Sequence, residues 1–226
     1  MSSLLPIVEK FHSLQGEGVH CGKSAYFIRL AGCTVGCPWC DTKESWQTIS
    51  HSKETVDQLS KDAASAYAKG AAMLVITGGE PLHHNLDQLC ESIKNITSTK
   101  NCQSMPIHLE TSGVNEMSGL INWITLSPKK HYLPKKSLLQ ACDELKVIIH
   151  TKEDIAFAEE IANQSIKEKK KGFYPSHNTK ESTKKPHLFL QPGWESEEGK
   201  KLSIDYVKSH PQWRLSLQIH KWVGLL

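Results

Sequence analysis

Three cysteines close together are the residues of this chain best suited to chemistry. Cys33, Cys37 and Cys40 form a C-x3-C-x2-C pattern, whereas the other four cysteines are scattered along the sequence, at Cys21, Cys90, Cys102 and Cys142. A total of seven cannot pair off completely, and a reducing compartment disfavours a disulfide framework. Metal binding or catalysis is therefore the expected use of the three clustered thiols.

The cysteine pattern suits an iron–sulfur cubane with one incompletely ligated iron. Three thiolates on one short loop bind three irons of a 4Fe–4S cluster, and a cluster held entirely by protein would need a fourth cysteine. The open iron can bind a small chelating ligand, into which a low-potential cluster then passes an electron. The alternative is a zinc site with a fourth ligand such as Cys21 or Cys142, although zinc sites more often use two C-x2-C pairs.

Short runs rich in branched and aromatic residues alternate with longer helical segments, which predicts an α/β fold with a mostly parallel sheet. At most seven strands are expected, at 26–30, 73–77, 107–110, 123–126, 144–149, 187–190 and 213–219. Helices are expected at 54–69, 86–95 and 154–170. A complete eight-unit barrel takes about 250 residues, so a chain of 226 residues favours an incomplete TIM-like barrel.

The unusual motifs of the chain come directly after predicted strands. In such folds, ligands gather at the carboxyl edge of the strands. Six motifs fall there, namely the cysteine loop and residues 77–81, 110–113, 127–129, 191–192 and 218–221. We therefore expect the six motifs to meet at one functional rim.

The composition excludes several classes of protein. Hydrophobic residues make up 38% and charged residues 23%, which is ordinary for a globular domain and rules out disorder and collagen-like repeats. The net charge of +3 is too small to argue for nucleic acid or a membrane surface, and neither a signal peptide nor a run of about 18 apolar residues is found. We expect one cytoplasmic domain over 1–226, with a Lys-rich exposed loop or insertion at about 167–186.

The cysteine pattern and residues 78–81 together resemble motifs of the radical S-adenosylmethionine (SAM) superfamily. Trp39 lies between the last two cysteines, and Gly78-Gly79-Glu80-Pro81 follows a predicted strand. The resemblance implies a 4Fe–4S cluster whose open iron is chelated by SAM, which is cleaved on reduction to a 5′-deoxyadenosyl radical. The two glycines remove side chains where a backbone must approach a ligand, and Glu80 offers an acceptor to a cationic amine.

More narrowly, the chain resembles the 7-carboxy-7-deazaguanine synthase family. The matching segments are 11–18, 27–33, 37–42, 76–81, 110–113, 126–129, 190–192 and 218–222. The resemblance implies a lyase of queuosine and 7-deazapurine biosynthesis that converts 6-carboxy-5,6,7,8-tetrahydropterin to 7-carboxy-7-deazaguanine with loss of ammonia. It further implies an incomplete α/β barrel, regenerated SAM, Mg²⁺, a homodimer, and a low-potential electron donor such as flavodoxin or ferredoxin.

The resemblance also assigns roles to single residues. Cys33, Cys37 and Cys40 ligate the cluster, Thr42 ligates Mg²⁺, and these four residues with Arg29 are the catalytic set. The SAM contacts are Trp39, Cys40, Asp41, Gly79, Glu80, Ser112, Ser127, Pro128, Lys129 and Gln191. The substrate contacts are Leu14, Gln15, Gly16, Arg29, Thr77, His220 and the terminal carboxylate at Leu226. Arg29 suits a bidentate grip on the pterin carboxylate, and Gln15 offers the donor and acceptor that a pterin edge requires.

Other interpretations remain open at this point. A glycyl-radical-enzyme activase resembles this chain in cysteine spacing and small size, although it has no evident use for Gln15 or Thr42. Arg29 could form an ordinary surface ion pair, and His220 could be an interior histidine with satisfied hydrogen bonds. The adjacent His83 and His84 are expected to face solvent rather than one metal ion, because neighbouring residues at a helix start point in different directions.

Overall fold

The computed structural model describes residues 3–98, 103–171 and 185–225. These ranges contain nine strands: β1 (Leu4–Leu14), β2 (Ser24–Leu30), β3 (Ser52–Thr55), β4 (Met73–Gly78), β5 (Ile107–Thr111), β6 (Trp123–Leu126), β7 (Glu144–Ile149), β8 (His187–Pro192) and β9 (Trp213–Leu215). The same ranges contain six α-helices: α1 (Val56–Ala68), α2 (Asp87–Thr97), α3 (Lys136–Ala141), α4 (Lys152–Lys170), α5 (Glu197–Ser209) and α6 (Ile219–Val223). Two short 3-10 helices cover Lys43–Trp46 and Pro81–His83.

All nine described strands form one sheet, in the order β3-β1-β2-β4-β5-β6-β7-β8-β9. Each neighbouring pair from β2 to β9 is parallel, whereas β1 is antiparallel to both β2 and β3. In the described part of the chain the outer strands β3 and β9 do not pair with each other, so the sheet stays open. The predicted α/β class, mostly parallel sheet and incomplete barrel are confirmed.

Alternation along the strands separates a hydrophobic core from a central cavity. Successive side chains of a strand point to opposite faces of the sheet. On β2, Tyr26, Ile28 and Leu30 belong to the main core, together with apolar residues of the helices. Phe27 and Arg29 lie on the other face and line the cavity. Arg29, the charged residue of this apolar strand, therefore lines the central cavity rather than the core.

Helix α1 shows how the sequence sets the limits of a covering helix. The side chain of Thr55 caps the helix by accepting a hydrogen bond from the Gln58 amide at 3.2 Å. Leu59 and Ala63 are buried against the core. The helix stops before Gly70, whose φ of +100° suits glycine best. The predicted range of 54–69 began two residues early, because Ser52–Thr55 pairs with β1 instead.

The strand prediction was wrong at both ends of the sheet. It missed β1 and β3, since β1 carries polar residues along its outer half and β3 reads Ser-Lys-Glu-Thr without an apolar residue. It also extended the last strand to residue 219, whereas β9 ends at Leu215 and residue 219 begins α6. Helices α3 and α5 were not predicted either. Seven strands was therefore too low a limit.

Part of the lysine-rich stretch is the end of α4. Lys167, Lys169 and Lys170 occupy the last turn of that helix, as its predicted end requires. Lys169 is buried rather than solvated, close to Asp143 and Cys142. The expected exposed loop falls mainly on residues 172–184, which lie outside the described residues.

Within the described ranges, no helix combines the length and the apolar character that a membrane span requires. The longest helix, α4, has 19 residues, and several of them are lysine or glutamate.

We expect Ile28→Ala to lower the free energy of unfolding by about 3 kcal/mol, because it deletes a buried side chain in the central strand β2. Urea denaturation of the purified protein measures this change. Leu4→Ala, on β1 but 54% exposed, is the matched control and should change stability far less. Equal losses in both variants would contradict the placement of the core.

Candidate active site

The carboxyl ends of the parallel strands open into a cavity of about 520 Å³. All six predicted motifs contribute to its wall, and the volume lies within the range of small-molecule sites. Of the assigned residues, the wall contains Leu14, Gln15, Gly16, Arg29, Cys33, Cys37, Trp39, Cys40, Asp41, Thr42, Thr77, Gly79, Ser112, Ser127, Lys129, Gln191 and His220. Glu80 and Pro128 are buried outside the wall, and Leu226 lies outside the described residues.

The cysteine loop follows β2 and presents its three thiols to this cavity. Backbone hydrogen bonds hold the start of the loop, from the Gly32 amide to the Ser45 carbonyl at 2.7 Å and from the Cys33 amide to the Trp46 carbonyl at 3.1 Å. Burial raises the pKa of the Cys33 thiol. Burial also raises the pKa of the Cys37 thiol, although the charge of Lys129 opposes this. Iron binding must therefore displace protons from thiols that hold them firmly.

The donor set fits a cluster better than a single zinc ion. Among the described residues, no group of three His, Cys, Asp or Glu side chains converges on one point. A cubane does not need such convergence, because each thiolate binds a different iron. The two cysteines that might have completed a zinc site are elsewhere, since Cys21 is exposed and Cys142 is buried beside Ser165.

Lys129 adds a positive charge close to the cysteine loop. Its amine donates a hydrogen bond to the Ser127 hydroxyl at 2.9 Å, and it forms no ion pair with a carboxylate in the described part of the chain. Burial lowers the pKa of Lys129, which the neighbouring Cys37 thiolate opposes. An ammonium group in this position favours an anionic ligand, such as an iron–sulfur cluster or an amino-acid carboxylate. The residues present thus fit both proposed occupants.

Residues 78–80 hold the cysteine loop in place. The Gly79 amide donates to the Leu30 carbonyl at 2.9 Å, and the Glu80 amide donates to the Gly32 carbonyl at 2.8 Å. A Cβ on Gly79 would lie 2.5 Å from the Gly32 oxygen. Gly79 was expected to let the backbone approach a ligand. In the structure, the lack of a side chain at Gly79 also lets the cysteine loop pack closely against it.

Glu80, a predicted SAM contact, is buried behind the cavity wall and hydrogen-bonded within the protein. Its side chain is 1% exposed and accepts hydrogen bonds from the Thr111 hydroxyl at 2.5 Å, the Ser112 amide at 2.8 Å and the Leu82 amide at 3.1 Å. The Ser112 hydroxyl also donates to it. Each Glu80 oxygen thus accepts two hydrogen bonds from protein donors, and the side chain braces the ends of two strands.

The aromatic side of the wall is built around Trp39. Its ring is 39% exposed and lies between two imidazoles, with centroids 5.9 Å from His131 and 5.5 Å from His150. His131 is fixed by a 2.9 Å hydrogen bond to the Val35 carbonyl. The neighbouring aromatic rings hold the Trp39 plane at the edge of the cavity.

A polar network forms the side of the cavity assigned to the substrate. Gln15 donates to one oxygen of Glu110 at 3.0 Å, and the Thr77 hydroxyl donates to the other at 2.9 Å. A Cβ on Gly16 would collide with the His220 ring, so only glycine lets His220 sit there. The structure thus brings Gln15 and Thr77 together around the Glu110 carboxylate, to which the sequence analysis gave no role, and it places His220 against Gly16.

Arg29 combines both interpretations given to it. Its Nε donates to a carboxylate oxygen of Glu9 at 2.7 Å, and the two side chains are 21% and 42% exposed. The guanidinium nevertheless lines the cavity. Glu9 therefore orients the group whose other N–H donors are available for a bound anion.

Glu17 and Lys146 form a buried ion pair that sequence reasoning missed. Lys146 is 5% exposed on β7 and contacts the Glu17 carboxylate directly. Burial alone would lower the pKa of Lys146, but the charges of Glu17, Glu110 and Glu144 outweigh it and raise the pKa. A lysine inside the apolar run Glu-Leu-Lys-Val-Ile-Ile was the available signal, because unpaired lysines are rarely buried.

His83 and His84 are half-buried, so each keeps part of its expected exposure to solvent and also contacts the protein. His84 Nε2 lies 2.7 Å from the Ala31 carbonyl, and His83 Nε2 lies 3.1 Å from the Thr34 hydroxyl. Both rings therefore support the outer side of the cysteine loop, which the sequence interpretation did not foresee.

Comparison with known proteins agrees with this geometry. Residues 14–143 match a family model described as a 4Fe-4S single cluster domain. The chain is 67% identical to a 7-carboxy-7-deazaguanine synthase of Prochlorococcus marinus over 100% of both chains, and 44% identical to that of Synechocystis over 97% of this chain and 93% of the other. QueE from Escherichia coli superposes with a TM-score of 0.73 at 28% identity, over 95% and 93% of the two chains.

The fold and the three-cysteine cavity define an iron–sulfur protein of the radical SAM class. Full-length identity of 67% is specific within that class. The chain belongs to the 7-carboxy-7-deazaguanine synthase family.

We expect Gly79→Ala to reduce cluster loading severalfold, because the added Cβ pushes Gly32 and Cys33 away from their positions. Iron content and the visible absorbance of the reconstituted protein measure the loss. Gly22→Ala is the control, since a Cβ there meets no atom within 4 Å although φ is +85°. Full loading of the Gly79 variant would contradict the brace that residues 78–80 provide.

Proposed function

We propose that the central cavity carries out the family's reaction, the conversion of 6-carboxy-5,6,7,8-tetrahydropterin to 7-carboxy-7-deazaguanine with loss of ammonia. As a member of this family, the chain is a radical SAM lyase of queuosine biosynthesis that uses a 4Fe–4S cluster and SAM. The observation that carries the proposal is that three thiols and a polar set suited to a pterin line one cavity. When bound, the cluster and SAM supply a 5′-deoxyadenosyl radical that abstracts a substrate hydrogen.

Cys33, Cys37 and Cys40 would hold the cluster, and the residues beside them would hold SAM. Lys129 lies close enough to the thiols to attract the negative charge of the cluster or of the SAM carboxylate. Trp39 offers an aromatic edge, and Gly79, Ser112, Ser127 and Gln191 offer backbone or polar groups along the same wall. Asp41 would contribute its backbone, because its side chain is engaged by Lys221. Glu80 and Pro128 are not included among the proposed SAM contacts, because both are buried and neither lines the cavity.

Gln15, Glu110 and Thr77 suit the pterin ring. A pterin presents adjacent N–H donors on its amino-pyrimidinone edge, and Glu110 has carboxylate oxygens that accept such hydrogen bonds. Gln15 and Thr77 already donate to these oxygens and so fix their direction. Lys146 places a positive charge behind the same group of carboxylates, which limits the repulsion between Glu17 and Glu110.

Arg29 and Thr42 would meet the substrate carboxylate. Glu9 accepts a hydrogen bond from the Nε of Arg29, a residue of the cavity wall, and the terminal nitrogens would make the bidentate contact. The Thr42 hydroxyl lies 3.7 Å from the Cys40 sulfur, and this short distance supports Thr42 as a Mg²⁺ ligand beside the cluster. One hydroxyl is a weak ligand, so the substrate carboxylate and waters must complete the oxygen shell. His220 and the terminal carboxylate of Leu226 would complete the substrate contacts.

The remaining parts of the proposal concern the whole protein. Residues 1–226 would act as a single radical SAM domain, as a homodimer in the cytoplasm. A low-potential donor such as flavodoxin or ferredoxin would reduce the cluster, because the reaction starts with one electron. No contact with nucleic acid or membrane is proposed.

Anaerobic reaction of the reconstituted protein with SAM, a reductant, Mg²⁺ and 6-carboxytetrahydropterin should give 7-carboxy-7-deazaguanine in large excess over 5′-deoxyadenosine. Mass spectrometry measures both compounds, and Cys37→Ala should form neither because the cluster loses a ligand. Deoxyadenosine without product would favour the activase alternative, with a protein as substrate. If a cluster-loaded sample formed neither compound, the radical chemistry would be refuted.

Thr42→Ala should raise the Mg²⁺ concentration needed for half-maximal turnover on the order of tenfold, because a metal ligand is lost. Titration of turnover with Mg²⁺ measures this shift. Thr42→Ser keeps the hydroxyl and should respond almost as the unmodified protein does. An unchanged Mg²⁺ response in Thr42→Ala would remove this residue from the metal site.

A further inference from the structure

Helix α6 carries His220 over the mouth of the cavity but has little packing of its own. It spans five residues, Ile219–Val223, and none of them is buried. A helix of this length is not stable by itself in water. Its position must therefore depend on a few individual contacts with the rest of the chain.

Lys221 makes the strongest of these contacts. Its amine lies 2.6 Å from the Asp41 carboxylate, and the two side chains are 20% and 50% exposed. The same amine lies 4.6 Å from the centre of the Trp194 ring, within the range of a cation–π interaction.

These contacts join parts of the chain that are far apart in sequence. Asp41 lies in the cysteine loop between Cys40 and Thr42, and Trp194 follows β8. The remaining backbone tether of α6 runs from the Ile219 amide to the Gly16 carbonyl at 3.1 Å. All of the elements concerned contribute residues to the cavity wall.

We propose that Asp41, Lys221 and Trp194 form a latch that positions α6, and with it His220, for binding of the pterin substrate. Lys221 is a positioning residue in this arrangement, because its charge is directed to Asp41 and Trp194. The latch links the loop that holds the cluster to the helix that closes the substrate side. This inference rests on the proposed function, since it takes the pterin to be the ligand beside His220.

The test measures binding of 6-carboxytetrahydropterin to the reconstituted, SAM-loaded protein by anaerobic equilibrium dialysis. Lys221→Met removes the charge but keeps an unbranched apolar chain, and it should weaken pterin binding about three- to tenfold. Lys221→Arg keeps the charge and the ring contact and should retain most of the affinity. Iron content and SAM affinity should be unchanged in both variants.

A double-mutant cycle separates the latch from a direct contact between Lys221 and the pterin. Asp41→Asn should weaken pterin binding as Lys221→Met does, and the double variant should be no worse than either single one. Additive losses would overturn the latch. Tighter binding in Asp41→Asn would also overturn it, because it would mean that the released lysine binds the substrate itself.

Lys200→Met is the matched control, since it removes a surface pair with Glu197 on α5 and should leave pterin binding unchanged. Unmodified protein that fails to bind the pterin would refute the proposed substrate. Unmodified protein that binds it, with Lys221→Met binding equally well, would refute the latch alone.

Discussion

The site depends most on the hydrogen bonds that the buried carboxylate of Glu80 accepts. Glu80 accepts hydrogen bonds from the end of β5 and from the 3-10 helix after β4, while its own amide holds Gly32 at the start of the cysteine loop. An unpaired buried carboxylate is costly, so these donors must stay in place whenever the chain is folded. The strand ends and the loop are thereby fixed relative to each other before any cofactor binds. A cluster ligated by only three residues gains its geometry from this arrangement.

Charge is arranged in the cavity according to what each side must bind. Among the described residues, Lys129 lies near the thiols and forms no ion pair with a carboxylate, which favours an anionic ligand there. Lys146, by contrast, lies close to Glu17, Glu110 and Glu144, and its charge lowers the electrostatic cost of keeping these carboxylates near one another. Both lysines line the cavity. They differ in their neighbours, which are thiols for Lys129 and carboxylates for Lys146.

Sequence reasoning was strongest where a motif is both local and placed by a buried parallel strand. The cysteine loop and residues 77–81 follow continuous apolar runs, so their meeting at one rim was predictable. The protein donors around Glu80 were not predictable, because an acid after a strand gives the same sequence pattern whether its donors come from a ligand or from the protein. The pairs Glu17–Lys146 and Asp41–Lys221 join residues 129 and 180 positions apart, and no local pattern records such contacts. Strands β1 and β3 were missed because their polar outer residues lack the apolar signal of the central sheet.

The charge of Lys129, which forms no ion pair among the described residues, also bears on the stability of the protein. A ligand that binds only the folded chain raises the free energy of unfolding, by an amount that grows with the logarithm of the ligand concentration relative to its Kd. An anion seated beside Lys129 relieves an electrostatic penalty that the empty fold carries alone, so cofactor occupancy and resistance to proteolysis rise together. Loss of the cluster would accordingly lower the free energy of unfolding as well as the activity, so stability and catalysis depend on the same bound group.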